Sequence, residues 1–407
     1  MGRRHARWAP DRASALAASA IRRRRRRVRV ALWLGFGLVA GVGGGVGAVF
    51  AAPILTPKVV QEIPASYVFP GTPQPIPWPA SGQAALAFAG LGRLGSSGPV
   101  NAAAPIASVA KVLTAYQILT DHPLSPGASG PTLTVEYPEA AAYGRQVAQG
   151  QSLVPVRSGE RLTERQALQA LLLASADNVA QILARWDAGS VPAFLTRINR
   201  TAVRLGMTHS RYTDPSGLDA GTVSTALDQL LLAEDAMRIP AFAQLVAQKS
   251  AVIPVAGSIH NYNTLLGRDG VVGIKTGSTM AAGGCLMFAA DVAAGPNGAT
   301  QRLYGVVLGQ PGSSSTILPH ALAAAKRLIE STGSVVTSAT VAQAGTGVAI
   351  VSEAMRDDRT LTPQAAVTVV GWPGLRYALR VSGTPSAAVL TVQSLDEPSY
   401  QVVSSLR

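Results

Sequence analysis

The chain has 407 residues, 47% of them hydrophobic, which allows a sizeable core and more than one domain. Its net charge of +13 is unevenly placed: residues 1–30 carry eleven arginines against one acid, Asp11, and the rest is close to neutral. With no interleaved aromatics and no nucleic-acid-binding motif, this distribution excludes a basic DNA- or RNA-binding body.

Residues 1–29 end in the run Arg22 to Arg27 with Arg29 and read as an Arg-rich cytoplasmic tail. An uncharged stretch follows from Val30 to Leu55, including Trp33 and Phe36. A membrane span needs roughly 20 apolar residues, and an Arg cluster on one flank places that flank in the cytoplasm. The expectation is a single-pass signal-anchor helix over 30–52 in the cell membrane, with all later residues outside the cytoplasm. The alternative is a signal peptide cleaved near Val49-Phe50-Ala51, giving a secreted form. The long charged region before the span favours the anchor. Residues 53–82 hold eight prolines, from Pro53 to Pro79, and read as an extended, semi-rigid linker.

Residues 83–335 alternate in a different way. A short strand over 83–89 precedes a helix from about Ser108 to Thr120, with Val109, Leu113, Tyr116 and Leu119 at helical spacing. Thr163-Glu164-Arg165-Gln166 reads as a capping box opening a helix over 167–174, and a second helix, 179–186, follows a turn at Ser175. Further helices are predicted over 193–205 and 225–237, then strands over 271–275, 284–290 and 303–308, and a last helix over 318–331. Such an order implies an antiparallel sheet flanked by helices, the α+β class. Residues 336–407 are Val- and Thr-rich, broken by Gly345-Thr346-Gly347, Pro373-Gly374 and Gly383-Thr384-Pro385, and read as a small separate β domain. Cys285, the sole cysteine, lies in an apolar strand and reads as a small buried hydrophobe.

Three short motifs carry the chemistry. Ser108-Val109-Ala110-Lys111 sets a hydroxyl one helical turn from an amine, so Lys111 can reach Ser108 directly. A serine hydroxyl is a poor nucleophile until a base takes its proton. Burial and a second cation depress an amine's pKa, and Lys275 is the candidate cation. Ser175-Ala176-Asp177-Asn178 places a second serine on a loop between helices, where it can relay a proton between Lys111 and a departing amine. Lys275-Thr276-Gly277 ends a strand. Lys275 and Thr276 suit a carboxylate, Gly277 permits a substrate backbone to approach closely, and the N–H groups of Ser108 and Ser278 make a candidate oxyanion hole. Taken singly, Ser-x-x-Lys recurs in many helices and Ser-Ala-Asp-Asn is an ordinary capping turn; the ordered set of three is far more specific. The five histidines are scattered, no metal-ligand spacing occurs, and no phosphate loop appears, so no metal or cofactor is expected.

The ordered set marks class A β-lactamases and penicillin-binding proteins. The chain over about 83–335 resembles D-alanyl-D-alanine carboxypeptidases of the serine peptidase S11 family, low-molecular-mass penicillin-binding proteins, most closely actinobacterial members. Leu205-Gly206-Met207-Thr208, Asp214-Pro215-Ser216-Gly217-Leu218-Asp219, Ser224-Thr225-Ala226 and Asn261-Tyr262-Asn263-Thr264-Leu265-Leu266 carry the likeness beyond the motifs, as does Gly273-Ile274 before Lys275. By that resemblance Ser108 is the acylated nucleophile, Lys111 its proton acceptor, Ser175 the second catalytic serine, and Lys275 the holder of the substrate's terminal carboxylate. The implied substrate is the peptidoglycan stem peptide ending in D-Ala-D-Ala, with β-lactams as covalent inhibitors.

Two departures from the family pattern matter. Asp177 stands where the family usually has Asn, so either Asn178 supplies the amide through a shifted turn or turnover is weakened. Some family members carry a carboxylate-binding arginine after the third strand; here no arginine follows the strand over 303–308 until Arg327, which leaves the carboxylate to Lys275 and Thr276. A class A β-lactamase is the first alternative; it needs a Glu between the second and third motifs, where only Glu234 occurs, inside an apolar helix. A catalytically degenerate peptidoglycan binder is the second, motivated by Asp177.

Overall fold

The computed structural model describes residues 57–293, 300–333, 335–352, 357–396 and 401–407. The tail and anchor expected over 1–52 lie outside the described residues. Among those described, no helix is long and apolar enough to cross a membrane.

The central sheet has five antiparallel strands in the order Val271–Thr279, Gly283–Ala293, Thr300–Gln310, Gln83–Phe88 and Gly92–Ser97. Its strands are apolar on both faces because both faces are covered. Ala85, Ala87, Met287, Ala289 and Val306 join one hydrophobic cluster with the helices, while Ala84, Leu86, Phe88, Leu286 and Phe288 alternate into a second. Each of the larger side chains among these, fully buried, contributes about 1.5–3 kcal/mol, and each alanine methyl about 0.8 kcal/mol. Gly305 takes no side chain because the Phe288 ring lies over it, 2.0 Å from where a Cβ would stand.

Eight helices are described: α1 Lys111–Asp121, α2 Tyr137–Ala148, α3 Glu164–Leu172, α4 Asp177–Ala188, α5 Val191–Arg204, α6 Ala226–Met237, α7 Pro240–Val246 and α8 Ile317–Thr332. The Thr163 capping box forms as read: Thr163 Oγ1 accepts from Gln166 N, and Gln166 Oε1 accepts from Thr163 N. Two helices escaped the sequence reading. α2 has no buried residue and so no apolar stripe to reveal it; its own capping box, Glu136 with Glu139, starts it. α7 is only seven residues long.

The expected spacer over 53–82 is corrected in part. Lys58–Gln61 pairs with Ala349–Ser352, and Ser66–Val68 pairs with Arg376–Thr384, so this segment supplies strands to the C-terminal sheets. Extended, proline-bounded backbone is already close to strand geometry, which is why the two readings share a sequence signature. The β character of 336–407 is present, in strands such as Ala387–Ser394 and Gln401–Ser405. That region shares a core with α8 and the outer sheet face through Trp372, Tyr377 and Leu390. Phe88 and Trp372 stack with centroids 5.9 Å apart across the junction.

Candidate active site

Ser108 sits in a short 3-10 turn, Ala107–Ala110, which runs into α1 at Lys111. The turn is entered through Ala107 with φ +47°, an uncommon conformation for a residue bearing a Cβ. Such backbone persists where packing over-determines it, and here Gly217 does so. A Cβ on Gly217 would lie 1.8 Å from the Ala107 carbonyl oxygen, so only glycine lets that loop press against the turn.

Lys111 is fully buried, and its Nζ has three neighbours: Ser108 Oγ at 2.7 Å, Asp177 Oδ1 at 2.6 Å and the Ser216 carbonyl oxygen at 2.8 Å. Ser216 is held there by the loop around Asp214. The Asp214 carboxylate accepts from the N–H groups of Ser216, Gly217 and Leu218 and from the hydroxyls of Ser216 and Thr222. One turn further along α1, Thr114 Oγ1 donates to the Pro215 carbonyl, fixing the same loop a second time. Asp214, Ser216 and Gly217 therefore build the site, although the sequence offered only their likeness to a family stretch and no role for them.

Ser175 joins α3 to α4 with φ +59°, a left-handed turn that carries its side chain into the interior, 4% exposed. Its Oγ accepts from Lys275 Nζ at 3.1 Å, and Lys275 also donates to the Thr276 carbonyl at 3.0 Å. The hydroxyl thus pairs with the strand lysine rather than with Lys111. Val271–Thr279 brings Lys275, Thr276 and Gly277 beside the Ser108 turn. A Cβ on Gly277 would stand 3.0 Å from Ser108 N and 3.0 Å from Val109 N, so the close approach that requires glycine is that of the protein's own turn. Ser278 follows at the exposed end of the strand.

The electrostatics follow from burial. Desolvation lowers the pKa of Lys111, opposed by the charge and hydrogen bond of Asp177 and by the charge of Asp214. Desolvation and the neighbouring Lys111 charge bring Lys275 well below its ordinary value, with Asp177 opposing. Lys275 is the more strongly depressed because its hydrogen-bond acceptors, Ser175 Oγ and the Thr276 carbonyl, are uncharged. Burial pushes the Cys285 thiol up to about 12, in keeping with an inert core residue.

Asn178 does not take the place of an amide facing the cleft. Its side chain donates to the Val154 carbonyl and accepts from Val154 N, turned away from Lys111 and fully buried. The shifted turn considered from sequence is therefore not adopted, and Asp177 is the residue at the site. Its second oxygen accepts from Ser152 N at 3.1 Å. A cavity of 260 Å³ opens over this corner, bordered by Gln146, Gln151, Asp177, Gln181, Ser216 and Leu218. Glu234 lies on α6, outside that lining.

A family model for D-alanyl-D-alanine carboxypeptidases matches residues 89–312, over half the chain and across all three motifs. The chain belongs to the D-alanyl-D-alanine carboxypeptidase family, peptidase S11. A curated D-alanyl-D-alanine carboxypeptidase of Mycobacterium tuberculosis is 35% identical over 189 residues, 45% of this chain and 60% of that protein. The chain thus spans less than two thirds of that relative's length. The solved structure of a D-alanyl-D-alanine carboxypeptidase from the same organism is 29% identical with a TM-score of 0.54, covering 65% of this chain and 95% of that one. A peptidoglycan synthesis regulatory factor of Streptococcus pneumoniae, 18% identical, shares the fold with a TM-score of 0.61 over 80% of this S11 chain and 98% of its own.

Proposed function

We propose that the protein is a serine-type D-alanyl-D-alanine carboxypeptidase acting on peptidoglycan stem peptides that end in D-Ala-D-Ala. The observation that carries this reading is Lys111 Nζ, buried without solvent, 2.7 Å from a half-buried Ser108 Oγ. When neutral, Lys111 takes the Ser108 proton as Ser108 Oγ bonds to the carbonyl carbon of the penultimate D-Ala. The oxyanion faces the N–H groups of Ser108 and Ser278. Ser175, with Lys275 behind it, passes a proton to the departing D-Ala amine, and water then hydrolyses the acyl-enzyme. Lys275 and Thr276 hold the terminal carboxylate, whose charge offsets the burial and the Lys111 charge that lower the pKa of Lys275.

β-Lactams enter the same site as slow-leaving acylating agents. The position of Glu234 away from the cleft supports slow deacylation, hence a target rather than a resistance enzyme. The Arg run and the apolar stretch over 30–52 support an extracytoplasmic body tethered to the cell membrane, to be tested by fractionation of cells expressing the full chain. Labelled penicillin tests the enzyme reading. A stable adduct on Ser108, with D-Ala release from a D-Ala-D-Ala peptide, is expected. Rapid penicillin hydrolysis would make the protein a β-lactamase, and no adduct would make it a binder.

A further inference from the structure

We infer that Asp177 is a positioning residue of this site: with the Ser216 carbonyl it aims the Lys111 lone pair at Ser108, and its negative charge moves the working range of the enzyme to higher pH. The inference rests on the serine-peptidase reading above and concerns the one motif position where this chain departs from its family.

The hydrogen-bond count around Lys111 Nζ decides the orientation. Three oxygens surround the nitrogen, and two of them, Asp177 Oδ1 and the Ser216 carbonyl, can only accept. An ammonium has three N–H groups and satisfies all three neighbours. A neutral amine has two N–H groups, which the two obligate acceptors take, and its lone pair is left facing Ser108 Oγ at 2.7 Å. Loss of the proton therefore turns Lys111 from a donor to Ser108 into an acceptor from it, with no movement of the side chain.

The position is built for a carboxylate. Its two oxygens face two donors, Lys111 Nζ and Ser152 N. An amide has one accepting oxygen and satisfies one of them, leaving an N–H group against the other. Asp177 is 5% exposed and Lys111 fully buried, so the attraction is poorly screened. An anion at 2.6 Å stabilises the ammonium, so a higher pH is needed to free the lone pair. The groups facing Lys111 are Ser108 from its own turn, Asp177 from α4, Asp214 and the Ser216 carbonyl from the loop, and Lys275 across the site. Of the charged groups among them, Asp177 alone is hydrogen-bonded to the amine.

The test reads acylation by a fluorescent penicillin in the full-length protein from pH 5 to pH 10, with adduct mass measured on wild type, Asp177→Asn and Asp177→Ala. In this step Ser108 Oγ bonds to the β-lactam carbonyl carbon, its proton passes to Lys111, and the ring C–N bond opens with the nitrogen taking a proton. Asp177→Asn retains an oxygen for Lys111 without the charge. Its acid limb is expected to move to lower pH, raising the rate on that limb by about tenfold relative to its own plateau. Asp177→Ala, lacking the oxygen as well, is expected to have a lower plateau than Asp177→Asn. Superimposable normalised profiles for wild type and Asp177→Asn would overturn the inference while the wild-type adduct still upholds the serine-peptidase reading. No wild-type adduct at any pH would overturn both.

Discussion

Replacing Glu164 with Gln isolates a penalty that the fold carries outside its active site. Glu164 opens α3, is 1% exposed, and among the described residues neither carboxylate oxygen finds a hydrogen-bond partner. Burial raises its carboxyl from 4.5 to about 7. The folded state thus holds a proton that the unfolded chain releases near pH 4.5. Well below that pH both states are protonated and the ionisation of Glu164 contributes nothing to stability. Between about 4.5 and 7 the folded state binds more protons, so stability falls as pH rises, and above 7 the deficit is constant. At 1.36 kcal/mol per pKa unit the full deficit approaches about 3 kcal/mol. Solvent around the neighbouring exposed loop, residues 125–130, lowers the expected figure to about 2 kcal/mol. Urea unfolding of the full-length protein between pH 4.5 and 8.5 measures it. Glu164→Gln should match wild type at the acid end and exceed it by about 2 kcal/mol at pH 8. A difference that does not change with pH would refute the reasoning, because it would mean that Glu164 ionises as readily folded as unfolded.

Other substitutions test the site and its supports. Ser108→Ala should abolish both the penicillin adduct and D-Ala release while the thermal midpoint stays near wild type, since the residue is half-buried and, among the described residues, its hydroxyl bonds to Lys111 alone. Gly217→Ala forces a side chain against the Ala107 carbonyl at a φ of +79°. It should cost about 1–3 kcal/mol in urea unfolding and slow acylation by displacing the Ser108 turn. Thr163→Ala removes the hydroxyl that caps α3 and should cost about 1 kcal/mol in the same assay with the penicillin acylation rate unchanged.

What the sequence made legible and what it did not divide along physical lines. Ser108 and Lys111 were readable because i and i+3 on a helix share a face whatever else the fold does. The strands over 271–310 were readable because burial on both faces demands continuous apolar runs. The pairing of Ser175 with Lys275 was not, because it depends on a left-handed turn at a residue that is not glycine. Nor was the fate of Asn178, which is decided by Val154, a neighbour distant in sequence. Gly92–Ser97, the edge strand, is Gly- and Ser-rich and is made a strand by Gln83–Phe88 beside it rather than by its own propensity.

The pairing of Lys58–Val68 with strands near the far end of the chain has a bearing on engineering. A truncation after residue 335, drawn to keep only the part resembling a catalytic domain, would strip both partners from Lys58–Gln61 and Ser66–Val68 and uncover Trp372's seat on Phe88. Bare strand edges and a freshly exposed aromatic surface invite self-association. A soluble fragment for crystallisation or screening is better begun near residue 57 and carried through to residue 407.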